Sequence, residues 1–407
     1  MAARSIFLTL ARNLQGHKKF RFRSISSSIE AVKQETITAA HAEIVDDFPE
    51  EEEKDDLKSR IFRLRLPKRS VTTVLEKWVG EGNEITISDL RSISRDLRIS
   101  HRYKHALEIS EWMVSHKEYF LSVSDYAVRI NLLARVFGID AAERYFEILP
   151  LLYKTSETYT ALLHSYASLK LTEKAELLYK RIKDSFPPLS AMLSAITFNE
   201  LMTLYISVGQ FEKVPSVIED MKTRNVARDL FTYNLWVSSC AAALKIDEAE
   251  KILDEMCVDP GCDETWIRYS KLARIYIMAG QLENSDSGLG SLVESEKGGV
   301  TQRELISYDF LVILYGGLGN KDRVDQIWQS MRTTRQKMTG RNYVCVLSSY
   351  LMLGHLREAG EIVDQWKQST SSEFNLDMCN KVVKGFKEVG MEDKTDGFHV
   401  LVHEKGL

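Results

Sequence analysis

Arg91, Arg95, Arg98 and Arg102 follow one another at intervals of three or four residues, so on a helix their guanidinium groups share one face. Such a rail suits phosphate oxygens, which attract Arg and Lys without regard to base sequence. Upstream, "LKSRIFRLRLPKR" at 57–69 adds six basic residues beside the same end. The alternative for the four arginines is a charged face covered by water alone. Nothing comparable points to bond making. There is no H-E-x-x-H and no P-loop, and "GLG" at 288–290 and "GGLG" at 316–319 lack the strand-then-helix setting of a dinucleotide site. His164 stands alone and reads as a packed or solvated histidine. The chain is therefore expected to be no enzyme and to use no cofactor or metal.

The elements that would carry these residues begin only after a long polar start. Residues 1–29 hold six Lys or Arg, no acidic residue, serines at 24 and 26–28, and Ile6, Phe7, Leu10 and Leu14 at helical spacing. That is the composition of a transit peptide, with the mitochondrion as destination and the plastid as the alternative. Residues 30–56 form an acidic linker expected to be disordered, ending in "DDFPEEEEKDD", eight acidic residues in eleven. Residues 57–104 then carry twelve Lys or Arg against five Asp or Glu, although the whole chain of 407 residues has a net charge of −4. Residues 57–86 read as a basic helical cap. The five cysteines include no C-x-x-C pair, which indicates free thiols rather than disulfides or a zinc knuckle. No apolar run approaches the ~18 residues of a membrane span, so no membrane insertion is expected.

From residue 87 onward the chain repeats itself. Units start near 87, 123, 156, 195, 230, 266, 305, 340 and 376, most of them 35 or 36 residues long. First segments such as "TFNELMTLYISVG" and "TYNLWVSSCAAAL" are followed by second segments such as "KIDEAEKILDEMC". Apolar residues recur in both at three- and four-residue intervals, the pattern of helical hairpins. One hairpin cannot bury its own apolar stripe, whereas stacked hairpins share a continuous core. The expected fold is an all-α superhelical solenoid of about nine helix-turn-helix repeats. Tyr159, Phe198, Tyr233, Tyr269, Tyr308 and Tyr343 occupy one position of the repeat and are expected to pack inside it. Gly209, Gly280, Gly319 and Gly354 sit where first helices should stop. The unit at 266–304 has a glycine- and serine-rich second segment, "QLENSDSGLGSLVESEKGG", and is expected to be a flexible joint.

These units resemble pentatricopeptide repeats, plant-rich organellar RNA-binding modules, in their period, their "TYN" or "TFN" opening and their "EAEKILDEM"-type second helix. They resemble the pure repeat class, in a layout like that of short plant mitochondrial members. The resemblance implies a non-catalytic protein that binds single-stranded RNA, messenger or ribosomal, in mitochondrial RNA processing, stability or translation. A structural or mitoribosome-associated scaffold, with protein partners besides ribosomal RNA, is the alternative. It further implies that bases are read by the fifth residue of a unit together with its closing residue. Asn199 with Asp229 makes the best-formed pair and resembles a uracil reader; Asn234 with Thr265 and Thr160 with Ser190 are polar and ambiguous. Ala127 and Val344, also fifth residues, can neither donate nor accept. Arg91, Arg95 and Arg98 fall at the fifth, ninth and twelfth positions of the first unit, on the inner face. Toward the C-terminus the inner positions become Val312, Ile313, Gly316, Leu347, Ser348 and Leu351, a surface suited to protein rather than phosphate.

Overall fold

The computed structural model describes residues 56–64, 70–116, 118–184, 193–286, 299–333, 338–370 and 372–398. Apart from Asp56, the expected leader and acidic linker lie outside these residues, as do Ser190 and positions 287–298 of the expected joint. The described chain is all helical, and it divides into two compact units at Glu200/Leu201. In the N-terminal unit, α1 (Leu57–Phe62) and α2 (Val71–Gly80) precede the hairpins α3 (Ile87–Ile99) with α4 (Tyr103–Ser115), α5 (Val123–Val136) with α6 (Ile139–Ile148), and α7 (Ser156–Ser168) with α8 (Thr172–Asp184). Helix α9 (Ala195–Ser207) spans the division. The C-terminal unit contains α10 (Val214–Thr223), α11 (Leu230–Ala242), α12 (Ile246–Cys257), α13 (Glu264–Asp286), α14 (Gly299–Gly317), α15 (Lys321–Thr333), α16 (Gly340–Leu353), α17 (Leu356–Lys367) and α18 (Leu376–Glu388).

Helix ends explain why the chain turns where it does. First helices start on polar N-caps that bond the third residue of the helix: Thr86 with Asp89, Ser122 with Asp125, Thr155 with Thr158, Asp229 with Thr232 and Thr339 with Asn342 each form a reciprocal capping box. At the other end, a residue in the left-handed region lets the next N–H reach back to a carbonyl five residues earlier. His355 N–H bonds Tyr350 C=O at 2.9 Å around Gly354, whose φ is 78°. Lys170 and Leu244 take the same conformation without being glycine, with Leu171 N–H on Tyr166 C=O and Lys245 N–H on Cys240 C=O, both at 2.9 Å. Gly280 departs from the expectation. It lies inside α13, which runs on without a turn to Asp286.

The six aromatic residues at the repeated position are all buried. Tyr159 packs edge-on against Phe146 and Tyr233 against Trp266, at centroid distances of 4.9 and 5.6 Å, whereas Tyr343 stacks on Trp366. All five cysteines are free thiols.

The C-terminal unit overturns one expectation. In an open row each first helix touches only the first helices next to it, but α13 packs against α14, α16 and α18, and α11 also reaches α14. Val312, Ile313, Leu347, Ser348 and Leu351 are consequently core residues rather than an open face for a protein. The cause is their sequence: α16 is buried almost all round, as a helix without a polar face must be. Glycine permits the close approach. A Cβ on Gly317 would stand 2.9 Å from the backbone of Tyr269, and one on Gly316 would stand 3.1 Å from Leu272. Arg268 Nε–H bonds the Gly317 carbonyl at 3.0 Å across the same interface.

Gly317→Ala tests this closure by its sign. Overpacking against Tyr269 should destabilise the protein by roughly 1–3 kcal/mol in urea unfolding. In an open row, the better helix propensity of alanine would instead stabilise it by up to about 1 kcal/mol.

Candidate nucleic-acid interface

The residues singled out for chemistry divide sharply by environment. Arg91 is fixed: its Nε and one terminal nitrogen form a fork on Asp125 at 3.0 and 2.7 Å, tying α3 to the start of α5. This hydrogen bond raises the guanidinium's pKa against its own burial. On Asp125, burial pushes the carboxyl up, and the hydrogen bonds from Arg91 and Ser122 together hold it below the usual range. Arg102 is not on the rail, because α3 ends at Ile99 and Arg102 begins α4. Its terminal nitrogens donate instead to the carbonyls of Phe62 at 3.1 Å, Ile61 at 3.4 Å and Leu64, closing the C-terminal end of α1.

Arg95 and Arg98 remain. Arg95 is exposed, and Arg98 is half-buried with its Nε shut off from water and without a hydrogen-bond partner. Burial lowers the Arg98 pKa, and the positive charges of Arg95 and of Arg135 push it the same way, with Tyr103 opposing. Arg135, exposed at the end of α5, lies over the Tyr103 ring at 4.9 Å from its centroid. Tyr103 Oη in turn lies 2.8 Å from His101 Nδ1. No ion pair to Arg95, Arg98 or Arg135 occurs among the described residues, while other acidic residues of this unit are paired. Asp96 pairs with Lys58 at 2.5 Å, Asp125 with Arg91, and Glu200 with His164 at 3.0 Å. The Glu200 charge raises the His164 pKa, with burial and Arg135 opposing. Sequence reasoning misses Arg135, because its ring partner Tyr103 opens α4 and nothing in the spacing along α5 points to it. Its only signal is its place one position further along α5 than Arg98 along α3.

Of the polar residues implied as base readers, Thr160, Asp229 and Thr265 bond the backbone, a helix cap or a neighbouring unit. Thr160 Oγ1 bonds Thr197 Oγ1 at 2.7 Å and donates to Ser156 C=O at 2.6 Å. The pattern recurs: the fifth residue of one unit bonds the third residue of the next in Arg91–Asp125, in Thr160–Thr197, and in Asp309–Asn342 at 2.9 Å. Buried Asp309 also accepts from Tyr276 Oη at 2.9 Å. Asn199 is 3% exposed and Asn234 2%, the latter with its carbonyl oxygen buried and lacking a hydrogen-bond partner. Asp229 caps α11, taking the Thr232 N–H at 2.7 Å. Thr265 lies inside α13, and Asp263 caps that helix, accepting from Thr265 N–H at 2.8 Å.

Parts of the repeat region match known repeat families. Residues 157–185 and 231–259 match the PPR repeat model, and 193–242 match the PPR repeat family model. A mitochondrial pentatricopeptide repeat-containing protein of Arabidopsis thaliana is 55% identical over 407 residues, 100% of this chain and 98% of the relative. A second Arabidopsis thaliana pentatricopeptide repeat-containing protein is 31% identical over 354 residues, 85% of this chain and 70% of its own length. Among solved structures, the pentatricopeptide repeat protein PPR10 in complex with an 18-nt psaJ RNA element aligns with 95% of this chain and 53% of its own. The identity is 16% and the TM-score 0.36.

The Arg91–Asp125 clamp can be titrated. Because the folded Asp125 pKa lies below its ordinary value of 3.8, the stability it contributes is complete above that value and is lost as pH falls through the folded pKa. Asp125→Asn should therefore cost about 1 kcal/mol at pH 7. In urea unfolding that difference should shrink as the pH is lowered below 3.8. A gap that stays constant down to the acid limb would contradict the clamp.

Proposed function

The chain belongs to the pentatricopeptide repeat family, and on that premise we propose that it is a non-catalytic RNA-binding protein of mitochondria, acting in transcript processing, stability or translation. It holds single-stranded RNA along the first helices of its N-terminal unit, and the strand is gripped through phosphates more than through bases. The observation that supports this reading is the group of Arg95, Arg98 and Arg135, cations without carboxylate partners among the described residues, on successive first helices. Phosphates supply the missing negative charge and do so for any sequence. The mitochondrial address rests on the leader composition and on the relative that is 55% identical.

Base reading has little part in this proposal, since Thr160 is bonded to its neighbouring unit and Asp309 is enclosed in the C-terminal core. Oligouridine and oligoadenine of equal length should then bind within about tenfold of each other, a spread of about 1.4 kcal/mol. Replacing Arg95 and Arg98 together by alanine should weaken both equally. It should also flatten the slope of log affinity against log salt by about 0.7 for each single-strand phosphate no longer neutralised. Fluorescence anisotropy at a series of potassium chloride concentrations measures both quantities. An unchanged slope would remove the arginines from the interface, and a strong uridine preference abolished by Asn199→Ala would make the protein a base reader instead.

A further inference from the structure

We propose that His164, held by Glu200, is a proton-dependent contact for an RNA phosphate: the imidazolium grips the strand, and the neutral ring releases it. The inference rests on the RNA-binding reading above and adds to it a further binding residue and a dependence on pH. Position favours it first. His164 is the ninth residue of the unit that starts near 156, as Arg95 is of the unit that starts near 87, so the two share one register position on the row of first helices. It lies on α7, inside the N-terminal unit, and its side chain is 21% exposed. The hydrogen bond from Ser165 Oγ to Asn131 Oδ1, at 3.0 Å, sets α7 beside α5.

Hydrogen bonding fixes what the ring can offer. His164 Nδ1 lies 3.0 Å from Glu200 Oε2 on α9, and a carboxylate only accepts, so Nδ1 carries a hydrogen in either protonation state. Nε2 is the atom that changes. It lies 3.4 Å from Oγ of Ser168, an exposed residue at the end of α7, and so faces the side that solvent reaches. In the neutral ring Nε2 is an acceptor with nothing to give a phosphate, and the buried Glu200 carboxylate beside it is an uncompensated negative charge. On protonation Nε2 becomes a charged donor, and the pair as a whole becomes neutral. The charged groups facing the ring are Glu200 from α9 and Arg135 from α5, the latter one turn beyond Asn131. From α6, Glu143 is occupied by Tyr166 and by Lys174 of α8. The Glu200 charge acts most strongly and, with its hydrogen bond, raises the His164 pKa above the ordinary 6.5 against burial and Arg135. The imidazolium therefore persists above that pH, and the contact is lost as the pH rises through the folded value.

Fluorescence anisotropy of one oligouridine with the full chain, read from about pH 6 to about pH 8.5 at fixed salt, tests the contact across the range in which a histidine titrates. Affinity should fall about tenfold over that range, the size of one charge-assisted hydrogen bond. The slope of log affinity against log salt should be about 0.7 steeper at the acid end, for one more single-strand phosphate neutralised. His164→Gln should bind at the weaker level throughout, with no step. Glu200→Gln removes the charge that raises the His164 pKa, so there the step should move to lower pH. This second variant keeps the histidine and decides the matter if His164→Gln does not fold. A flat parent profile, a step that survives in His164→Gln, or one that stays in place in Glu200→Gln would overturn the proposal while leaving the RNA-binding reading intact. If no oligouridine binds at any pH, that reading fails and this contact falls with it.

Discussion

Each first helix begins with backbone N–H groups that the helix itself cannot satisfy. The polar residues at the unit junctions answer to that need before any other. Ser122, Thr155, Asp229, Thr339 and Asn375 are helix caps, and the third residues Asp125, Thr158, Thr232 and Asn342 complete boxes with four of them. The same third residues are within reach of the preceding unit, which is why Arg91 ends on Asp125 and Asp309 on Asn342. A fifth residue bonded in this way stitches two repeats together. In the proposed reading, phosphate falls to the cations that escape the stitching.

Those cations are concentrated in one part of the chain. Within the N-terminal unit, α3 carries Arg95 and Arg98 and α5 carries Arg135. Within the C-terminal unit, α16 is buried almost all round, and α14, α16 and α18 all pack on α13. Glycines at 316 and 317 admit that packing by removing the side chains that would hold the backbones apart. The repeats thus share a local geometry while their inner faces do different work: one set stays accessible to an anion, and the other becomes core.

Most of the local fold was legible in the sequence, because it follows from short-range rules. The packing aromatic residues and the left-handed turns at Gly209, Gly319 and Gly354 recur at fixed offsets within a unit. Two features were not legible. Gly280 looked like another stop, but the helix continues through it, since a glycine inside a helix costs only about 1 kcal/mol and longer-range packing decides. The closure around α13 depends on helices far apart in sequence meeting one another, and no periodicity encodes that. The site was half legible. Helical spacing brought Arg91, Arg95 and Arg98 together, yet it counted Arg102, which a left-handed turn at His101 carries onto another helix. It could not reveal Arg91's partner 34 residues away, nor add Arg135 from α5.

Photo-cross-linking of thiouridine-containing RNA to the full protein, followed by mass spectrometry of the attached peptides, addresses the division between the two units most directly. Cross-linked peptides should come from α3 and α5, around Arg95, Arg98 and Arg135. Cross-links concentrated on α11, α14 and α16 would mean that the C-terminal unit opens to hold the strand, and would contradict the account.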